Sequence, residues 1–128
     1  MFDFPGLTTV TSFPVSYFLI MEKSKIKNSL VVGKSGEDCN RVCEKKSMSC
    51  NPEILPMVNM PTWLRDFLPN CERFISIRSQ KYWTLGYPAV NGDTCIYQSK
   101  QSLLGCDGRP EGENHRICPC QKQTLPSV

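Results

Sequence analysis

Apolar residues fall along this chain in short bursts, each about one strand or a turn or two of helix long, separated by polar, proline-rich or glycine-rich stretches. Residues 1–28 hold no sustained period. Thr and Ser are frequent there and Pro5 and Pro14 interrupt the run, which predicts a poorly ordered leader, with the folded domain beginning near Ser29. Residues 29–33 read as a short strand stopped by Gly33. Ser35 and Asp38 give a capping-box start, and Cys39, Val42, Cys43 and Lys46 recur at helical spacing, so a helix is expected up to about Lys46. Asn51, Pro52 and Glu53 open a second short helix through about Asn59; residues 60–68 repeat the device, with Trp63, Phe67 and Leu68 on one apolar face. Residues 71–87 show no clear period. Beyond them Asn91 and Gly92 mark a turn, Thr94–Gln98 reads as a strand, 106–114 as a polar loop and 115–120 as a closing extended segment. No internal repeat is present. The pattern predicts a small α+β disulfide-rich domain at residues 29–120, short helices tied to a small antiparallel sheet by four disulfides, with a tail at 121–128.

A chain of 128 residues has room for one such core, and a second catalytic domain does not fit beside it. Its net charge of +3 is spread along the sequence, which is a solubility-level charge and excludes a nucleic-acid footprint. Lys23, Lys25 and Lys27 form the one dense basic cluster and read as a solvated segment, with too few charges for a membrane patch. Eight cysteines, all between 39 and 120, predict an oxidising compartment and a disulfide framework. The N-terminus makes a poor export signal: Asp3 replaces a positive n-region, the apolar run from Phe13 to Met21 is broken by Pro14 and Ser16, and no cleavage site follows. That run is also too short to span a bilayer. The expectation is a truncated piece of a larger exported protein, with unconventional export as the alternative.

Cysteine spacing carries the most specific signal. Cys39 and Cys43 lie one helical turn apart, with Cα atoms about 6 Å apart on one face. Cys118 and Cys120 flank Pro119 in an extended segment and face the same way at about 6 to 7 Å. The two pitches match, so two side-by-side bridges can tie the helix to the strand. Pro119 cannot donate to a ladder, which predicts an edge strand. Zinc fits less well, because Cys-x-Cys with the lone His115 supplies half of the usual ligand pattern, and no metal or other cofactor is expected. An even cysteine set leaves no thiol for nucleophilic chemistry, and His115 reads as a surface loop residue. Trp63, Phe67 and Phe74 read as core under the disulfides. Tyr82, Trp83 and Tyr87, beside Gly86 and Pro88, are the candidates for an exposed aromatic platform contacting a sugar ring. The acidic pairs Glu37/Asp38, Asp66/Glu72 and Glu111/Glu113 sit among polar residues, without the burial that a glycosidase acid requires. A Gly-rich phosphate loop, an N-glycosylation sequon and basic residues interleaved with aromatics are all missing, so no nucleic-acid partner is expected.

Gly36, Cys39, Cys43, Cys50, Pro52, Asn59, Cys71, Cys95, Leu103, Leu104, Cys106, Cys118 and Cys120 together carry a family resemblance. From about Ser29 to Cys120 the chain resembles the extreme C-terminal cysteine-rich region of the N-acetylglucosaminyltransferase V family, the α-1,6-mannosylglycoprotein 6-β-N-acetylglucosaminyltransferases. The resemblance implies a Golgi-lumenal type II membrane enzyme that transfers N-acetylglucosamine from UDP-N-acetylglucosamine to an α-linked mannose of N-glycans, without a metal. It places catalysis in two upstream Rossmann-like lobes with no counterpart here, so no catalytic residue carries over. It also implies the pairs Cys39 with Cys118, Cys43 with Cys120, Cys50 with Cys106, and Cys71 with Cys95. The chain departs from the family pattern in lacking the membrane anchor and both lobes, in a longer segment between Cys71 and Cys95, and in ending soon after Cys120. The function expected is therefore a structural, non-catalytic lumenal domain whose partners in a parent enzyme are the upstream lobes and, indirectly, the glycoprotein acceptor. Its membrane attachment would run only through the missing anchor. The alternative is a secreted cysteine-rich binding module touching glycans through Tyr82, Trp83 and Tyr87.

Overall fold

The computed structural model describes residues 23–78 and 85–122. In chain order the elements are helix α1 over 23–29, β1 (Leu30–Ser35), α2 (Cys39–Glu44), β2 (Met48–Cys50), α3 (Leu55–Val58), α4 (Pro61–Phe67), β3 (Arg73–Ile77), β4 (Ala89–Asn91), β5 (Thr94–Gln98), a 3-10 turn at Gln101–Leu103, and β6 (His115–Lys122). Five strands follow the order β1-β6-β4-β5-β3, and β2 pairs with the far end of β6. The pairings are antiparallel except that β3 joins β5 in parallel, so the sheet is mixed.

The closing segment is central, not an edge. Arg116, Ile117, Cys118, Pro119 and Cys120 are buried in succession, as on a strand covered on both faces. Pro119 is tolerated because of where its nitrogen points. The Ile117 N–H donates to the Pro88 carbonyl at 2.9 Å, and the Pro119 carbonyl accepts from the Asn51 N–H at 2.9 Å. Backbone groups two residues apart face the same flank, so the missing N–H falls at the junction where the neighbour of β6 changes from β4 to β2. β1 also runs past Gly33 to Ser35. The glycine is needed for packing: a Cβ there would lie 2.3 Å from Val42 Cγ2 of α2.

Side-chain alternation along the strands divides the interior in two. Leu30, Ile117, Val90, Cys95 and Phe74 face the layer of α1, α3 and α4, where Ile26, Val58, Leu64 and Phe67 complete an apolar core. Val31, Cys118 and Cys120 face α2, whose buried residues are Cys39, Val42 and Cys43. The helix starts are local chemistry. Asp38, not Ser35, caps α2 by accepting from the Arg41 N–H at 2.8 Å, and Pro61 opens α4 at its first turn.

The folded unit begins before Ser29. Ile26 is 4% exposed within the apolar core, and Lys23 pairs with Asp66 while standing 5.5 Å over the Trp63 ring. Lys23 therefore belongs to the fold, whereas Lys25 and Lys27 remain exposed.

Candidate functional site

All eight cysteines lie within the described residues, and each is in a disulfide. Cys39 joins Cys118 and Cys43 joins Cys120, each with Cα atoms 5.3 Å apart, so one turn of α2 is matched to one pleat of β6. Cys50 joins Cys106 across 6.1 Å and Cys71 joins Cys95 across 5.6 Å. These are the four pairs that the family resemblance implies. They leave no thiolate to ligate a metal or attack a substrate, and among the described residues no group of three His, Cys, Asp or Glu is placed to hold a metal ion.

The α2 side of the sheet is completed by a polar device built around Arg116. The side chain is fully buried. Its Nη1 donates to the Gly108 carbonyl at 2.7 Å, and its Nη2 donates to the carbonyls of Gly105 at 2.7 Å and Tyr87 at 3.1 Å. Among the described residues its Nε has no hydrogen-bond partner. Loss of water pushes the guanidinium pKa down to about 10, opposed by the charges of Asp38 and Asp107, so the group remains a cation at neutral pH. A buried cation is tolerable only where dipoles replace its hydration, and here carbonyls do so. They come from two segments that cross at van der Waals contact: a Cβ on Gly108 would sit 2.1 Å from the Leu85 carbonyl oxygen, and one on Gly86 would sit 2.0 Å from the Arg109 carbonyl carbon. The sequence offered little warning of this. Arg116 sits beside the more conspicuous His115, and no motif marks carbonyls contributed from positions 87, 105 and 108.

Tyr87 belongs to the same assembly, which corrects its assignment to an exposed platform. It is 2% exposed, and its hydroxyl lies 3.4 Å from both the Glu111 N–H and the Asn114 amide nitrogen, which donate to it. The ring is buried because Ala89 and Ile96 form an apolar seat on this side of the sheet. Tyr82 and Trp83 lie outside the described residues. His115 is likewise not a loop residue: it starts β6, and its Nδ1 donates to the Gly33 carbonyl at 2.8 Å across the irregularity in the β1 pairing.

On the apolar side, Trp63 and Phe67 meet edge to face at 5.4 Å, and Phe74 packs under the Cys71–Cys95 bridge with the Arg65 guanidinium 5.2 Å from its ring. Asn59 acts as a surrogate strand. Its Nδ2 donates to the Gln98 carbonyl at 2.6 Å and its Oδ1 accepts from the Gln98 N–H at 2.8 Å, both fully inside the protein. Sequence reasoning found Asn59 only as one residue of a pattern and missed this role.

The acidic pairs do not converge. Glu37 pairs with Lys45 and accepts from the Lys34 N–H at 3.0 Å, and these contacts hold its carboxyl below the usual carboxylate range; Asp38 is spent on the α2 cap. Glu37 lies in an open groove of about 420 Å³ between β1 and α2, lined also by Val31, Val42, Lys34, Lys45 and Lys46. Asp66 is taken by Lys23, while Glu72, Glu111 and Glu113 stand exposed. Among the described residues no helix is long and apolar enough to cross a membrane. The four disulfides are compatible with a lumenal or secreted location.

The family model for glycosyltransferase family 18 matches residues 23–120. The alpha-1,6-mannosylglycoprotein 6-beta-N-acetylglucosaminyltransferase A of Mus musculus is 24% identical over 92 residues, covering 70% of this chain and 12% of its own length.

Proposed function

The chain belongs to glycosyltransferase family 18, and from that premise we propose that it is the disulfide-rich, structural module of a Golgi-lumenal enzyme of N-glycan branching. The reaction of the whole enzyme is transfer of N-acetylglucosamine from UDP-N-acetylglucosamine to an α-linked mannose. The module's partners are the glycosyltransferase lobes of that enzyme, and it meets the glycoprotein acceptor only through them. One observation carries the structural reading. The one fully buried charged side chain in the described interior, Arg116, gives both terminal nitrogens to backbone carbonyls of its own loops and presents neither to a cleft. The buried Asn59 side chain bonds to the Gln98 backbone, and the buried Gln98 Oε1 accepts from the Lys100 N–H. Polar groups committed to backbone fix a shape. A donor site would need such groups preorganised toward a ligand's diphosphate or sugar.

The test is a transfer assay with the oxidised chain, UDP-N-acetylglucosamine and a biantennary N-glycan acceptor, read by mass spectrometry of the acceptor. No mass increase is expected. Addition of one N-acetylhexosamine by this chain alone would overturn the structural reading.

A further inference from the structure

The groove between β1 and α2 has no part in the reading above and has its own chemistry. Its floor is apolar, made by Val31 and the buried Val42, and its rim carries Lys34, Lys45 and Lys46 against a single acid, Glu37. Glu37 is paired with Lys45, which leaves Lys34 and Lys46 exposed without an ion pair among the described residues. Beside the groove, β1 ends the sheet and, among the described residues, has no strand on its outer flank. Its register shows which groups that flank offers. Ile117 turns its N–H toward Pro88, so Cys118 faces β1, where it opposes Val31. Val31 therefore faces β6, and the N–H and C=O of Val32 face outward. The Val32 side chain is 43% exposed. The Lys34 N–H is already satisfied by Glu37, which ends the open stretch.

From this juxtaposition we infer that the β1 edge and the α2 lysines form a docking site for an extended acidic peptide segment, added as a strand beside β1. Main-chain bonds to Val32 supply the pairing, and alternate side chains supply the selectivity. One set lies over the groove, where carboxylates meet the lysines; the other set lies along Val32, where an apolar residue is favoured. An anionic sugar fits the same charge but not the rest of the surface. It would leave the outward N–H and C=O of Val32 unpaired and set nothing apolar along the exposed Val32 side chain, whereas an extended peptide satisfies both.

The experiment uses the full oxidised chain and fluorescence anisotropy of a capped nonapeptide of alternating Asp and Val, compared with its Asn/Val and Lys/Val counterparts. The Asp/Val peptide is expected to bind about tenfold or more tightly than Asn/Val, and to weaken steeply as salt rises. The double variant Lys34→Glu with Lys46→Glu changes only exposed side chains. It should reverse the preference, losing the Asp/Val peptide and gaining Lys/Val, whereas Lys100→Glu, remote from the groove, should change neither. Lysines that merely keep an edge soluble would show no reversal. Equal affinity for the three peptides, an unreversed preference in the double variant, no binding at about 1 mM, or a sulfated disaccharide that binds as well as the peptide and displaces it would each overturn the inference.

Discussion

The two faces of the sheet are covered by different means. On one face α1, α3 and α4 bring Ile26, Val58, Leu64 and Phe67 against Ile117, with one bridge, Cys71–Cys95, at the margin. On the other, among the described residues, one six-residue helix and a polar loop do the covering, held by three bridges and a buried arginine. A helix that short is unstable alone, and α2 offers one valine and two cysteines to the interior. Covalent closure and carbonyl bonding replace the missing apolar area. The difference teaches that a small domain can be completed wherever side chains are too few, provided the constraint is placed on the unfolded chain.

The largest effect should come from unlinking the thin face. Replacing Cys43 and Cys120 together by Ser removes a bridge spanning 77 residues. The chain-entropy estimate for a loop of that length is about 4.5 kcal/mol, an upper figure because the bridges are nested. Urea unfolding should show the loss as a lowered midpoint. A midpoint within error of the parent would mean that packing, not closure, holds α2.

Next in size is a paired test of the two faces. Leu64→Ala opens a cavity in the fully buried apolar core and should cost about 3 kcal/mol. Arg116→Met strands three carbonyls but relieves a buried charge, and should cost about 2 kcal/mol. Hydrogen exchange tells the faces apart. Amides of 55–67 should quicken most in the first variant and those of 105–110 in the second; the opposite assignment would break the comparison.

The smallest effect concerns Glu37. Its folded-state pKa lies below the ordinary value of 4.5, chiefly because of Lys45. The unfolded chain then binds more protons in the window beneath 4.5, so the contribution is present above that pH and fades as pH falls through the folded pKa. Glu37→Gln should lower Tm slightly near neutrality and flatten the acid limb of a Tm-against-pH curve, so that variant and parent converge as pH falls through the folded pKa. An equally steep acid limb in the variant would assign that limb to other carboxylates.

Several local features were legible because they depend on neighbours in sequence. The Pro61 helix start, the turn at Asn91 and Gly92, and the pitch match of Cys39 and Cys43 with Cys118 and Cys120 all follow from the chemistry of adjacent residues. The irregular segment from 71 contained β3, whose Phe74 and Ile77 face opposite sides and gave no clean period. The packing of 23–29 is not legible in the sequence, because Ile26 is one inward residue among lysines and carries no pattern.

By itself the sequence determined a small cystine-bound α+β domain and its family, since cysteine count, spacing and flanking residues are one-dimensional properties. Only the tertiary structure decided that Pro119 lies in a central strand, that Tyr87 is interior, and that Arg116 is the centre of a carbonyl cage. Each of those depends on backbone contributed from remote positions. Burial and hydrogen bonding are set by what the fold brings to a residue, and no local pattern encodes a partner that is itself main chain.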